Sequence, residues 1–142
     1  MGQAIVRLVL GVLGGLVTMF IVIMGIEFLG HQLYPPPPGL DPRNTAHVAQ
    51  IMGQAPAGAL ASIAIAWIVG ALAGGFVAAK LSRFWPRAAA IVVGLFVVLG
   101  VVAMMLQIPG HPTWLAILGL VLPVPMALLG ARFAQRRPVP SR

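Results

Sequence analysis

Residues 57–79 read AGALASIAIAWIVGALAGGFVAA, a stretch of 23 residues with no charge, no proline and a single hydroxyl, Ser62. At about 1.5 Å of rise per residue, such a helix crosses a hydrocarbon core of about 30 Å once. Its small residues are ordered as well as frequent. Ser62, Ala66, Gly70, Gly74 and Ala78 recur at every fourth position and form one continuous row along the helix.

Three further uncharged runs flank this one: Leu8–Ile26, Ala88–Ile108 and Thr113–Ala131, of 19, 21 and 19 residues. Each can span a bilayer once. The chain of 142 residues is 60% hydrophobic and 8% charged, with a mean hydropathy of +1.01. Soluble domains carry roughly 25% charged residues. A soluble enzyme and a disordered chain are excluded on that ground, and the absence of cysteine excludes a disulfide scaffold. The reading is an all-α integral membrane protein of one domain, residues 1–142. Four transmembrane helices, at about 8–30, 57–79, 88–108 and 113–131, form an up-down bundle.

The basic residues orient it. With both termini cytoplasmic, Arg7, Lys80, Arg83, Arg87, Arg132, Arg136, Arg137 and Arg142 lie inside and only Arg43 lies outside. That is the bias expected of a cytoplasmic face. Trp85 then falls at the inner interface, and Tyr34 and Trp114 at the outer one. The net charge of +7 is accounted for by anionic headgroups, without a nucleic-acid partner. The first apolar run is longer than the roughly 7–15 residues of a signal-peptide core, and no small-residue cleavage site follows it. Eight Arg against one Lys, with abundant Ala and Gly, fits a GC-rich bacterial genome and hence a bacterial cytoplasmic membrane.

One connection is long, the outer loop of residues 34–56. Pro35–Pro38 cannot be helical and predicts a polyproline II rod of about 12 Å at about 3.1 Å per residue. Asp41 as N-cap and Pro42 as first helical residue then predict a short interfacial helix to about Met52, stopped by Gly53. The first span adds Gly11-xxx-Gly15 to the row of small residues in the second. Its Gly14–Gly15 pair and the Gly74–Gly75 pair lie at similar depth, seven residues from Arg7 and six from Lys80. Lipid tails supply little hydrophobic drive between helices, so close backbone approach over small residues supplies the packing energy. The first two spans are therefore expected to cross closely, within one subunit or between subunits. In the fourth span, Pro123 and Pro125 remove backbone donors and predict a kink, with a hinge as the alternative.

Both acids and all three histidines fall on the outer side: Glu27, His31, Asp41, His47 and His111. Glu27 and His31 are four residues apart and share a helix face. They form a candidate proton or ligand site with His111. Metal binding stays open, with His111 or His47 as a third ligand, and Met24, Met104 and Met105 at similar depth would suit a soft ion such as Cu(I). An interfacial carboxylate can equally reach water without any further role.

The span interiors offer only Thr18 and Ser62 as polar side chains, and no ionisable group at the midplane for a solute or proton path. No nucleophile–base set and no phosphate-binding loop is present, so enzymatic activity is not expected and no cofactor is implied. The first functional reading is an interaction module, either a homo-oligomer or an accessory subunit of a complex with another membrane protein. The second is a small transporter or channel for a proton, metal ion or small solute, using Glu27 and His31 at the outer face. A membrane enzyme acting on lipid would need Glu27, His31 and His111 to converge.

Overall fold

A computed structural model describes residues 1–135. Arg136, Arg137 and Arg142, which the charge pattern assigns to the inner side, lie outside the described residues. All regular structure among the described residues is helical. The helices are α1 (Gly2–Leu33), α2 (Thr45–Gln54), α3 (Ala57–Leu81), α4 (Pro86–Gln107), α5 (Thr113–Val121) and α6 (Pro123–Gln135). Four helical segments are long and apolar enough to cross a membrane: α1, α3, α4, and α5 with α6 as one broken span.

The third helix is the hub. It packs against α1 on one side and α6 on another, and it also touches α4, which itself bridges α1 and α6. The row of small residues explains the first contact. A Cβ added to Gly11 would meet the Ala78 carbonyl at 2.7 Å, one on Gly15 the Gly74 carbonyl at 2.7 Å, and one on Gly30 the Ser62 hydroxyl at 2.7 Å. Rising positions on α1 thus meet falling positions on α3, and the two helices pass each other in opposite directions.

A second seam runs between α3 and the broken span. A Cβ on Gly75 would run into the backbone of Ala127, and one on Gly130 into the Leu72 carbonyl. Gly119 lies under the Trp67 ring, 2.6 Å from a built Cβ. Here Gly119 faces Trp67 and Ala127 faces Gly75, so α5 and α6 run in the same direction as α3.

The core between these seams is made mostly of Ala, Gly and Val. Ala66, Ala71, Ala78, Ala89, Ala90 and Val93 are all fully buried. Large apolar side chains point outward instead, as Leu13, Val17, Phe20, Ile21, Met24 and Phe28 do along α1. That inversion is stable where the surroundings are as apolar as leucine.

Within the membrane-length helices, away from their ends, two glycines have open space beside them. Gly25 and Gly100 have nothing within 4 Å of a built Cβ. Gly25→Ala and Gly100→Ala are expected to leave stability unchanged or raise it by no more than about 1 kcal/mol, the usual helix preference for alanine. Unfolding in mixed SDS micelles measures this, and a clear loss in either variant would show a contact at these positions.

The broken span and the outer loop depart from the sequence expectation in detail. The break at Leu122 is one residue long, with right-handed helical geometry, and helical hydrogen bonds continue on both sides of it. Pro123 is fully buried, and its carbonyl lies 3.1 Å from a Cβ built on Gly94. The kink is thus packed rather than open.

In the loop, Leu40 N–H donates to the Pro37 carbonyl at 3.2 Å, with Gly39 at φ 86°. Pro38 and Gly39 occupy the corners of a turn in which the second corner requires positive φ, which glycine adopts without strain. The proline run is therefore cut short by this turn. The helix start also shifts. Asp41 accepts from Arg43 N–H at 2.9 Å within a turn, and the N-cap is Asn44, whose side chain accepts from Ala46 N–H at 3.0 Å. Gly53 does not stop the helix, which runs to Gln54 just ahead of Pro56.

Candidate functional site

The last turns of α1 bring Glu27, His31 and Tyr34 to the end of the bundle that carries the loop. A cavity of about 280 Å³ opens there, between α1, the loop, α3 and α4. Its polar wall is Glu27, His31, Tyr34 and Ser62, and its apolar wall includes Val48, Ile51, Met52, Leu60, Ile63, Met104 and Ile108. The second helix acts as a side wall. Its Met52 is buried and joins the hydrophobic core, so the loop is anchored to the bundle.

Hydrogen bonding fixes several of the polar groups. The His31 Nδ1–H donates to the Glu27 backbone carbonyl at 2.8 Å. A carbonyl can only accept, so Nδ1 carries a proton. The i, i+4 pair therefore meets through the backbone at this bond. The Ser62 hydroxyl donates to the Ala59 carbonyl at 2.7 Å, which leaves its oxygen lone pairs for another partner. The Tyr34 hydroxyl lies over Gly58, where any Cβ would strike it.

The other candidates go elsewhere. His111 is not part of the cavity wall; it sits in the turn between α4 and α5, with Nε2 buried and no hydrogen-bond partner among the described residues. His47 faces the loop, where its Nδ1 accepts from Asp41 N–H at 3.1 Å. Among the described residues no three His, Asp or Glu side chains gather as a metal site, so Glu27 and His31 do not acquire His111 or His47 as a third ligand. The same geometry leaves the lipid-enzyme reading without its converging triad. Of the methionines, Met104 lines the cavity, Met105 packs on the core and Met24 is exposed.

Gly11, Gly15, Ser62, Gly70, Gly74 and Ala78 all lie along the α1–α3 seam, and Ala66 is fully buried in the same row. The row that could have served a contact between subunits is occupied within the chain. Sequence reasoning missed Tyr34, Ser62 and Met52 as cavity residues. Gly58, two residues after Pro56, was the one local hint that a bulky group approaches there.

The opposite end of the bundle has a different character. The contact of Gly11 with Ser82 sets Arg7 toward the α3–α4 turn, where Arg83 lies between Lys80 at the end of α3 and Arg87 at the start of α4. Parallel packing of α6 on α3 brings Arg132 out at the same level. Lys80 Nζ sits 5.2 Å from the centre of the Phe76 ring. Among the described residues, acids and histidines thus occupy one end and the basic side chains the other, with Arg43 as the exception.

The fold and this division of charge define a multi-pass helical membrane protein with a loop-walled cavity at one end. No protein-family model matches the chain, and neither a curated protein nor a solved structure matches it.

Proposed function

We propose that the chain is a multi-pass protein of a bacterial cytoplasmic membrane, an up-down bundle with both termini cytoplasmic, and that it acts as an interaction module. It joins a second copy or another membrane protein as an accessory subunit, through its outer face. The observation that carries this reading is the anchored outer loop, with α2 laid against the bundle, above an interior closed by Ala, Gly and Val. A loop held in one shape is a docking surface formed before the partner arrives, which lowers the ordering cost of association. The basic end supports the orientation, since such residues favour the cytoplasmic side.

A second reading, a small transporter or channel for a proton, metal ion or small solute, draws support from the shared cavity of Glu27 and His31. Beneath that cavity Trp67, Ala71, Gly74, Val93, Val97 and Val101 are buried, which favours a blind pocket over a continuous path.

The test is the native mass of a tagged chain extracted in mild detergent. The expected result is a stoichiometric complex, weakened when Pro35–Pro38 are replaced by Gly and Ser. A chain that always elutes as a lone monomer overturns this reading. Ion flux in proteoliposomes that is lost in Glu27→Gln would establish the second.

A further inference from the structure

The outer cavity is polar on one wall only, and that wall carries the Glu27 carboxyl group with no Lys or Arg beside it among the described residues. We propose that this cavity binds a small apolar molecule bearing a protonated amine. The inference goes beyond the assembly reading and stands without it.

Glu27, the only acid on the transmembrane helices, lines the cavity, and no Lys or Arg among the described residues does. An ionised carboxylate has only acceptors to offer. His31 has its Nδ1 proton directed to the Glu27 carbonyl, which leaves Nε2 as the one ring nitrogen without that bond. Ser62 directs its hydroxyl proton to the Ala59 carbonyl and offers lone pairs. The Tyr34 hydroxyl can serve either way. A ligand that donates to the Ser62 oxygen and to the Glu27 carboxylate, and neutralises that carboxylate, is a cationic hydrogen-bond donor.

The main chain has the same polarity. The last turns of α1 (Gly30, His31), α2 (Met52) and α4 (Met104, Ile108) all lie on the cavity wall. Helix C-termini carry partial negative charge and favour cations. Two N-terminal turns also reach the wall, that of α3 through Ala59 and Leu60 and that of α2 through Val48, but these N–H groups are already bonded to the Pro56 and Asn44 carbonyls.

The rest of the wall selects the body of the ligand. Val48, Ile51, Met52, Leu60, Ile63 and Met104 present an apolar surface that accommodates an aromatic or alkyl group. The volume, about 280 Å³, sits at the low end of small-molecule pockets, which run to roughly 300–1,000 Å³. Small aryl-alkyl amines fit that limit, whereas an entire phospholipid does not. An anionic headgroup is disfavoured by Glu27, and a divalent metal by the lack of a third hard ligand among the described residues.

The test uses the full chain in nanodiscs, with phenethylammonium as the probe. 2-Phenylethanol and 3-phenylpropionate serve as isosteres lacking the cation or reversing its charge. Binding is read by calorimetry against empty nanodiscs. Saturable binding of the amine is expected, with each isostere weaker by about tenfold or more, the scale of one charge-assisted hydrogen bond. Glu27→Gln is expected to cost a similar factor. Ala59→Phe, which fills the cavity while keeping Glu27, is expected to abolish binding with an unchanged elution profile. No saturable amine binding overturns the proposal, as does equal binding of an isostere or an amine affinity that survives both substitutions. The experiment needs no partner protein, so its failure is distinct from failure of the assembly reading.

Discussion

Gly130→Leu is expected to leave little folded protein, and Gly130→Ala alone is expected to lower the unfolding midpoint in SDS clearly below that of the native chain. The reason is what a side chain at this position would meet. A Cβ there falls on the Leu72 carbonyl and within 2.8 Å of the Phe76 amide nitrogen. The facing position is built alike, since a Cβ on Gly75 meets the Cα of Ala127 at 2.6 Å. Overpacking usually costs about 1–3 kcal/mol because side chains can yield. Here the obstacle is main chain on a hydrogen-bonded helix, so the cost belongs at or above the top of that range.

Helix propensity acts in the opposite direction. Alanine is favoured over glycine by about 0.8–1.0 kcal/mol in a helix interior. A net loss in Gly130→Ala therefore isolates the packing clash, and the open positions Gly25 and Gly100 supply the matched comparison. Leucine at Gly130 with native elution and an unchanged midpoint would mean that α6 does not lie on α3 at this point.

The two seams differ in how far the sequence announces them. Ser62, Ala66, Gly70, Gly74 and Ala78 repeat at a helical period, and the Gly14–Gly15 and Gly74–Gly75 pairs match in depth. Period and depth are local properties, so the α1–α3 contact is legible in the order of the residues alone. Gly75 packs on the other seam although it is paired with Gly74 in the sequence, and Gly130 belongs to no repeat. Which helix covers the second face of α3 is decided by how the whole bundle closes, and no single segment carries that information.

The outer site divides in the same way. Glu27 and His31 share a face by spacing alone, so half of the polar wall is visible in the chain. Ser62 joins it across the α1–α3 crossing, whereas Met52 reaches the cavity only because the loop folds back, and that depends on the turn at Pro38–Gly39 and the cap at Asn44. Asp41-Pro42 and Asn44-Thr45 are both acceptable helix starts. Pro42 suits a turn corner as well as a first helical position, so local preference could not choose between them.

The α1–α3 crossing itself gives the other large effect, and its form is a coupling rather than a single loss. Gly15→Ala and Gly74→Ala are each expected to destabilise the bundle, while the double variant is expected to lose less than their sum. The two sites are one contact seen from both sides. A Cβ on Gly15 meets the Gly74 carbonyl at 2.7 Å, and a Cβ on Gly74 meets the Gly15 carbonyl at 2.7 Å. Both also press on Val93, at 2.9 Å in each case. Relieving either clash requires α1 to move away from α3, and once it has moved the second methyl enters space already opened. Contacting positions of this kind couple by about 0.5–3 kcal/mol. Gly119→Ala provides the comparison, because its clash is with Trp67 and Val101 and shares no partner with Gly15. That pair is expected to add within about 0.3–0.5 kcal/mol. Unfolding free energies of the native chain, the three single variants and the two doubles complete both cycles. Strict additivity of Gly15→Ala with Gly74→Ala would mean that the helices are not in contact at this point, and the row of small residues would then have to face something other than α1.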